Sequence, residues 1–261
     1  MGRTPFHGIL LRSMVILSLF AFKAIGDELR VGTITKNVDG DTVWLESEDT
    51  RLKVRFHNID APETHLAAPG GVVGQGEWGK SASKHLEDLI PVGTQVEVRD
   101  EGQDKYKRTL GHVLLKGVDT GLEMVRAGWA IPYVICSGAT CNEDHLQKER
   151  ISDYVAFCRA ARTSGRGIFD PESPLTEMPF EFRLRVQKRR PDKFVGDYER
   201  GIYFSPADYD KVDVCQRIFF AKETDAGRLG YQPAENNSFG DVFNFPRSSD
   251  FILPRRWAIE E

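Results

Sequence analysis

The sequence predicts a mainly β fold with added helices: a small five-stranded Greek-key barrel with three packed helices, plus a small C-terminal extension. Three strand-like segments come first, and a helical pattern, two more strands and two further helices follow. Turn-forming residues separate these segments. Beyond Phe169, Pro171, Pro174 and Pro179 mark a change in organisation. A 40% hydrophobic, 28% charged chain has globular composition, which excludes a disordered or collagen-like protein.

The five strands are expected in segments that are rich in Val, Thr and Ile. Lys53–Phe56 alternates between polar and apolar residues, as a half-buried strand does. A polar turn at 47–50 joins the second strand to the third. The expected strands are 29–36, 42–46, 51–57, 95–99 and 111–115.

Three helices are expected between and after these strands. The first ends before Pro91, which cannot continue a helix. The second begins at a capping-box pattern, Thr120–Glu123, and ends at Gly128. The third is capped by Asn142 and ends before Gly165. Apolar residues at helical spacing mark the buried faces: Trp78, Ala82, Leu86 and Leu89 in the first helix, and Leu146, Tyr154, Cys158 and Ala161 in the third.

Residues 1–26 have the layout of a secretory signal peptide. Arg3 and Arg12 give a positive start, 14–22 is a short apolar run, and Ala24–Gly26 offers small residues before Asp27. The run is short for a membrane span. We therefore expect cleavage, a secreted or periplasmic protein and no membrane attachment afterwards, with an uncleaved anchor as the alternative.

The charge balance limits how this chain can bind nucleic acid. The net charge is −4, and removal of the first 26 residues takes away three basic residues and no acidic one, which leaves −7. A net acidic protein does not hold polyanions by bulk charge. Contact with nucleic acid would need a local basic groove or a bound cation. No protein partner is predicted.

Four cysteines, Cys136, Cys141, Cys158 and Cys215, suggest disulfides in an exported chain. Three pairings are possible, and the sequence does not choose among them. Cys136 and Cys141 flank a short polar loop, which suits a local bridge. Cys158 paired with Cys215 would then tie the extension to the first domain.

Two short motifs place carboxylates around an arginine. Asp39-Gly40-Asp41-Thr42 and Asp60-Ala61-Pro62-Glu63 each hold two acids, and Arg55 lies between them in sequence. Carboxylates bind hard cations, and a guanidinium fork matches phosphate oxygens. Each motif alone is more often an ordinary turn or surface residue. Together they supply what phosphodiester hydrolysis needs: a metal site, a carboxylate for the water and a charge to stabilise the transition state.

Three blocks carry a family resemblance. Residues 38–43, 54–64 and 104–111 resemble, in order and separation, the signature blocks of the thermonuclease (staphylococcal-nuclease-like) family. Residues 124–130 are similar to the helix block that follows in that family, and the resemblance covers about 29–169. It implies an OB-fold-type barrel and a Ca²⁺-dependent phosphodiesterase that cuts single-stranded DNA and RNA and leaves 3′-phosphate ends.

The resemblance also implies a role for each matching residue. Asp41, Asp60 and the carbonyl of Ala61 fall on the calcium ligands. Glu63 falls on the carboxylate that activates or orients water, and Arg55 and Arg108 fall on the two catalytic arginines. Lys105 and Tyr106 match residues near the terminal phosphate of a bound nucleotide, and Tyr133 matches an aromatic that lines the nucleotide pocket. Two positions depart from the pattern: Lys107 replaces a glycine, and Ile135 replaces a second pocket tyrosine.

Residues 170–193 are expected to form a linker with a basic run, and 194–261 a small extension. The better interpretation of the run is a solvated charged face, and a phosphate-contacting stripe is the alternative; its members are Arg183, Arg185, Lys188, Arg189, Arg190 and Lys193. Segments of 194–234 faintly resemble the metal-binding module of alkylated-DNA repair proteins, which uses four cysteines. Only Cys215 is near a suitable position, so we expect a metal-free appendage.

Two rival functions remain. A catalytically inactive barrel could bind nucleic acid without cutting it, although such copies typically lose acidic or arginine positions that are all present here. A calcium-binding exported module with no nucleic-acid role would leave Arg55 and Arg108 unexplained.

Overall fold

The structure is a computed structural model that describes residues 29–48, 50–138 and 141–234. The predicted signal peptide and the last part of the extension lie outside these residues. Within them, no helix is long and apolar enough to cross a membrane.

The described chain forms strands and helices in an order close to the one expected. The strands are β1 (Leu29–Asn37), β2 (Thr42–Ser47), β3 (Thr50–Phe56), β4 (Ile59–Asp60), β5 (Leu66–Ala68), β6 (Gly71–Val73), β7 (Gln95–Gln103), β8 (Thr109–Leu115), β9 (Val118–Asp119), β10 (Ile131–Pro132), β11 (Val134–Cys136), β12 (Phe194–Asp197), β13 (Ile202–Phe204), β14 (Arg217–Phe220) and β15 (Gln232–Pro233). The helices are α1 (Gly76–Leu89), α2 (Thr120–Arg126), α3 (Glu143–Lys148), α4 (Ile151–Thr163), α5 (Pro179–Val186) and α6 (Glu223–Arg228).

Five strands close the barrel. β1 pairs antiparallel with β2 and β7, β2 with β3, and β7 with β8, and a parallel pairing of β3 with β8 completes the circle. Alternate residues of these strands fill the interior with side chains such as Ile34, Val54 and Val98, while Leu86 and Leu122 join the same core from α1 and α2. Each such side chain contributes about 1.5–3 kcal/mol on burial. The predicted OB-fold-type barrel is confirmed.

Two details of the helices differ from the expectation. The third helix is not continuous, because Arg150 adopts a left-handed conformation with φ 54° and separates α3 from α4. The predicted capping box is also wrong. Asp119 caps α2 by accepting hydrogen bonds from the amides of Gly121 and Leu122, and the hydroxyl of Thr120 donates to the carbonyl of Val113 instead.

The C-terminal extension is joined to the barrel domain by strand pairing and by a disulfide. β14 pairs in parallel with β11, so a five-stranded sheet in the order β11-β14-β12-β13-β15 joins the barrel domain to the extension. Disulfides link Cys136 to Cys141 and Cys158 to Cys215. The second bridge ties α4 to the start of β14 and occupies the thiol that the faint metal-module resemblance pointed to.

Residues 170–193 are also folded against the rest of the chain. Phe180 of α5 packs against Tyr133, Tyr209 and Phe219 with ring centroids 6.2, 5.4 and 5.2 Å away. Arg185, Lys188, Arg189 and Arg190 are exposed, as a solvated face requires. Arg183 is the correction to that interpretation, because its guanidinium lies on buried carboxylates.

A buried histidine fixes the segment that leads to β4. His112 lies between two carboxylates, with Nδ1 2.7 Å from Asp119 and Nε2 2.6 Å from Glu149. Glu149 also accepts hydrogen bonds from Asn58 and Arg99. Since Asn58 lies in the turn before Asp60, this network holds the β3–β4 turn against α3 and α4.

This network makes stability depend on pH. Although burial lowers the pKa of His112, its hydrogen bonds to Asp119 and Glu149 raise it to about 9. The stabilisation is therefore complete below the unfolded pKa of about 6.5 and is lost as pH rises through 9. His57, whose pKa burial lowers to about 4, stays neutral throughout. We expect the contribution of His112 to the free energy of unfolding to fall by roughly 2–3 kcal/mol between pH 6 and 10.

Urea unfolding across this pH range measures the effect, with His112→Gln as the matched variant. The variant should be less stable at pH 6, and its free energy of unfolding should fall less steeply with pH than that of the wild type. An unchanged slope in the variant would assign the pH dependence to other groups.

Candidate functional site

The site forms where three chain segments meet at one end of the barrel. The β1–β2 turn supplies Asp39 and Asp41, β3 supplies Arg55, and β4 with the following loop supplies Asp60 and Glu63. Gly40 permits this meeting: a Cβ atom there would lie 2.7 Å from the Cβ of Ala61 and 2.9 Å from that of Ala82. No side chain fits at that position without moving the turn away from β4 and α1.

Arg55 joins the two segments electrostatically. Its Nη2 lies 3.0 Å from Oδ2 of Asp41 and 3.0 Å from Oδ1 of Asp60, and its Nη1 donates to the carbonyl of Phe56 at 2.9 Å. All three side chains are nearly or fully buried. Burial lowers the pKa of Arg55, but Asp41 and Asp60 outweigh this effect and raise it. The guanidinium is therefore a permanent charge with a fixed orientation.

Asp41 is also bonded to the backbone that follows Asp60. Its Oδ2 accepts the amide of Ala61 at 2.9 Å, and its Oδ1 accepts the hydroxyl of Thr42 at 3.0 Å. The Asp39 carboxylate in turn accepts the amide of Asp41 at 3.1 Å. The two aspartates expected to bind a cation are thus brought together, with Ala61 beside them.

Glu63 is positioned through its backbone. Its amide donates to Oε1 of Gln75 at 3.0 Å, and its carbonyl accepts the amide of Gln75 at 2.8 Å. α1 packs directly on this segment at Gly79, where a Cβ atom would overlap the carbonyl oxygen of Glu63. The Glu63 carboxylate is largely buried and accepts a hydrogen bond from Arg183 at 3.0 Å.

The cluster contains more carboxyl groups than arginines. Burial is the largest cause that raises the pKa of Asp39, to about 8, and it also raises the pKa values of Asp60 and Glu63. Formally, four carboxylates face the two guanidinium groups of Arg55 and Arg183. Such a set of hard oxygen donors fits a divalent cation such as Ca²⁺, whose charge would favour the ionised carboxylates.

A different group among the described residues has the spacing of metal ligands. One ligand atom each from His57, His112 and Glu149 lies within 4.8 Å of the others. However, both ring nitrogens of His112 are bonded to carboxylates, and Glu149 is paired with Arg99. We interpret this group as an ion-pair network, while the oxygen-only cluster around Arg55 suits calcium better.

Arg108 lies in a separate part of the site. Its Nε donates to Oδ2 of Asp104 at 2.7 Å, and its Cζ lies 5.6 Å from the ring centre of Tyr106, on which Lys105 also rests at 5.1 Å. Tyr106 is 62% exposed. Lys107 keeps the left-handed backbone, with φ 61°, that a glycine would adopt more easily. Lysine at a position where the family has glycine is therefore compatible with this turn.

Tyr133 is placed by the extension. Its ring lies 4.9 Å from Phe219 and 6.2 Å from Phe180, and the Cζ of Arg183 lies 5.5 Å from its centre. Ile135 is exposed two residues further on. Residues that the sequence did not indicate, Gln75 and Arg183, thus complete the surroundings of Glu63 and Tyr133.

Comparisons with known proteins agree with the geometry. A family model described as "Staphylococcal nuclease homologue" matches residues 53–168. Endonuclease YhcR of Bacillus subtilis (strain 168) is 37% identical over 206 residues, which are 77% of this chain and 16% of that protein. Uncharacterized endonucleases of Haemophilus influenzae and of Escherichia coli O157:H7 are 32% and 28% identical, over 48% and 46% of this chain and 64% and 71% of theirs.

The chain therefore spans only a small part of the Bacillus relative and just under two thirds of the Haemophilus one. The match with the Bacillus protein covers too much of this chain to end at residue 168. Wherever it begins, it includes α5.

Because Gly79 packs against Glu63, we expect alanine at position 79 to lower the free energy of unfolding, although alanine is the better helix former. Alanine normally stabilises a helix by about 1 kcal/mol relative to glycine. Gly79→Ala should instead destabilise the protein by roughly 1–3 kcal/mol, since its methyl group overlaps backbone that cannot move cheaply. Gly227→Ala in α6, where nothing lies within 4 Å, is the matched control and should be neutral or stabilising. Urea unfolding of both variants measures the difference, and a stabilised Gly79→Ala would contradict the packing described.

Proposed function

Since this chain contains a domain of the staphylococcal nuclease family, we propose that it is a Ca²⁺-dependent nuclease that hydrolyses single-stranded DNA and RNA and leaves 3′-phosphate ends. The observation that supports this most directly is the buried cluster of Asp41, Arg55, Asp60 and Glu63. It combines oxygen donors, a fixed guanidinium and an additional carboxylate at one point.

The donors suited to Ca²⁺ are Asp41, Asp60 and the carbonyl of Ala61. When bound, Ca²⁺ supplies Lewis-acid polarisation of a phosphoryl oxygen. Asp41 is oriented for this by Ala61 and Thr42, and Asp60 by Arg55. These hydrogen bonds fix the orientation of both carboxylates.

Glu63 acts on the attacking water, by deprotonating or orienting it. Its position on the loop after β4 places its carboxylate next to Asp60, and Gln75 and α1 hold its backbone. A base has to be held within hydrogen-bonding reach of the proton it accepts, which a flexible loop would not ensure.

The two arginines stabilise the charge that develops on the phosphate. Arg55 is fixed inside the barrel end, whereas Arg108 is paired with Asp104 and exchanges that partner for phosphate oxygens. Exposed Tyr106 and Lys105 next to Arg108 provide a stacking surface and a positive charge for the terminal nucleotide. By the family resemblance, Tyr133, whose ring lies beside Arg183, would line the nucleotide pocket.

The inactive-barrel alternative is disfavoured by the same cluster. A module that only binds single strands gains nothing from burying several carboxylates, since these repel the backbone of the nucleic acid.

We further propose that the protein is exported, because two disulfides suit an oxidising compartment.

Substitution of Glu63 separates a cutting enzyme from a binding module. Glu63→Gln should retain Ca²⁺-dependent binding of a nucleotide inhibitor while single-turnover cleavage of single-stranded DNA slows by about 10²–10⁴-fold. Asp41→Asn should instead weaken Ca²⁺ binding. Calorimetry and cleavage assays on the wild-type chain, with Ca²⁺ or with chelator, provide the reference.

Full cleavage in chelator would exclude the calcium mechanism. Combined loss of binding and cleavage in Glu63→Gln would make that residue a ligand or a structural group. A wild-type chain that binds single strands and never cuts them would support the inactive barrel.

Arg55 can be tested by a substitution that keeps its charge. Arg55→Lys loses the planar fork that contacts Asp41 and Asp60, and we expect kcat to fall by about 10²-fold or more. Arg51→Lys is the matched control, because Arg51 is exposed on the same strand and rests on Trp44. Near-normal kcat for Arg55→Lys would show that Arg55 does not contact the reacting phosphate.

A further inference from the structure

Arg183 occupies the carboxylates on which the proposed metal site depends. Its Nη1 lies 2.6 Å from Oδ1 of Asp60 and 3.0 Å from Oε1 of Glu63, and its Nη2 lies 2.9 Å from Oδ2 of Asp60. The fork therefore spans both oxygens of Asp60 and reaches Glu63 as well. This is the strong, bidentate geometry of an arginine–carboxylate pair.

These bonds compete with ligation of a cation. Oδ1 of Asp60 accepts hydrogen bonds from both Arg55 and Arg183, which uses its two lone pairs. A divalent ion on Asp60 would also lie within a few ångströms of the Arg183 guanidinium and be repelled by it. Binding of the ion between Asp41 and Asp60 therefore requires the guanidinium of Arg183 to leave Asp60.

The helix that carries Arg183 is anchored independently of this contact. Phe180 packs into the aromatic cluster with Tyr133 and Phe219, and the side chain of Gln75 donates to the carbonyl of Glu177 at 2.8 Å. The side chain of Arg183 is long and 23% exposed, so that rotation about its own bonds releases Asp60 while α5 stays in place. α5 lies outside the segment matched by the family model.

We propose that the guanidinium of Arg183 occupies the metal site when no metal is bound, and that Arg183 thereby sets the affinity of the site for a divalent ion. In the metal-free protein it neutralises Asp60 and Glu63, and the divalent ion binds by displacing it from Asp60. This rests on the proposed function, since it takes Asp60 as a metal ligand. Removal of the guanidinium then strengthens Ca²⁺ binding and weakens the metal-free fold.

Calorimetric titration of Ca²⁺ into the full chain tests the first consequence. We expect Arg183→Gln to lower the Kd for Ca²⁺ at least tenfold. Arg183→Lys, which keeps a charge and loses the fork, should lie between this variant and the wild type. Arg185→Gln is the matched control: it removes a positive charge from the exposed side of the same helix, where Arg185 pairs with Glu177, and should change the Kd less than twofold.

Urea unfolding tests the second consequence without reference to catalysis. In chelator, Arg183→Gln should unfold at a lower urea concentration than the wild type, because Asp60 and Glu63 lose their partner. In saturating Ca²⁺ this difference should disappear.

Three results would overturn the proposal. An equal Kd in wild type and Arg183→Gln would show that the two cations do not compete. Weaker Ca²⁺ binding in Arg183→Gln would make Arg183 a supporting residue of the ion instead. Absence of Ca²⁺ binding in every variant, the wild type included, would remove the metal site itself and this proposal with it.

Discussion

The burial of several carboxylates at one point is the constraint on which the rest of this structure depends. An ionised carboxylate without partners is expensive to bury, so each one must be hydrogen-bonded or paired. Asp60 is fully buried and Asp41 nearly so. Their partners come from three directions: Arg55 from inside the barrel, the backbone of Ala61 from β4, and Arg183 from the extension. The turn at Gly40 and the tight packing of α1 at Gly79 keep these partners within reach.

The extension follows from the same constraint. A barrel alone would leave Asp60 and Glu63 with one arginine. Three contacts hold the C-terminal part against the end of the barrel where these acids lie: the β11–β14 pairing, the Cys158–Cys215 bridge and the packing of Phe180. α5 is therefore positioned so that Arg183 reaches the site. Through Arg183, the extension contributes a positive charge to the site, although it lies beyond the residues that the family model matches.

The barrel and most of the site could be predicted from the sequence because their signals are local. Asp41, Arg55, Asp60 and Glu63 lie in consecutive parts of the chain, and the family resemblance of residues 38–43 and 54–64 relates them to one site. Arg183 could not be predicted, because it is more than a hundred residues from its partners and belongs to a basic run most of whose other members are exposed.

Local signals also failed where neighbouring residues compete. Asp119 and Thr120 are both good caps, and the hydroxyl of Thr120 is used by β8, which leaves the cap to Asp119. The break at Arg150 has no glycine or proline to announce it, and the bond network of Glu149 fixes the chain there. A sign of α5 was present in Pro179, since proline is favoured at the first position of a helix.

The carboxylates around Arg55 are the proposed divalent-cation site of this protein. Crystals of the chain soaked in Mn²⁺, which favours the same oxygen ligands as Ca²⁺, would locate the ion by its anomalous scattering. We expect one strong peak between Asp41 and Asp60, next to the carbonyl of Ala61, with Arg183 moved off Asp60. A peak at His57, His112 and Glu149 instead, or no peak near Asp60 at saturating Mn²⁺, would contradict the claim.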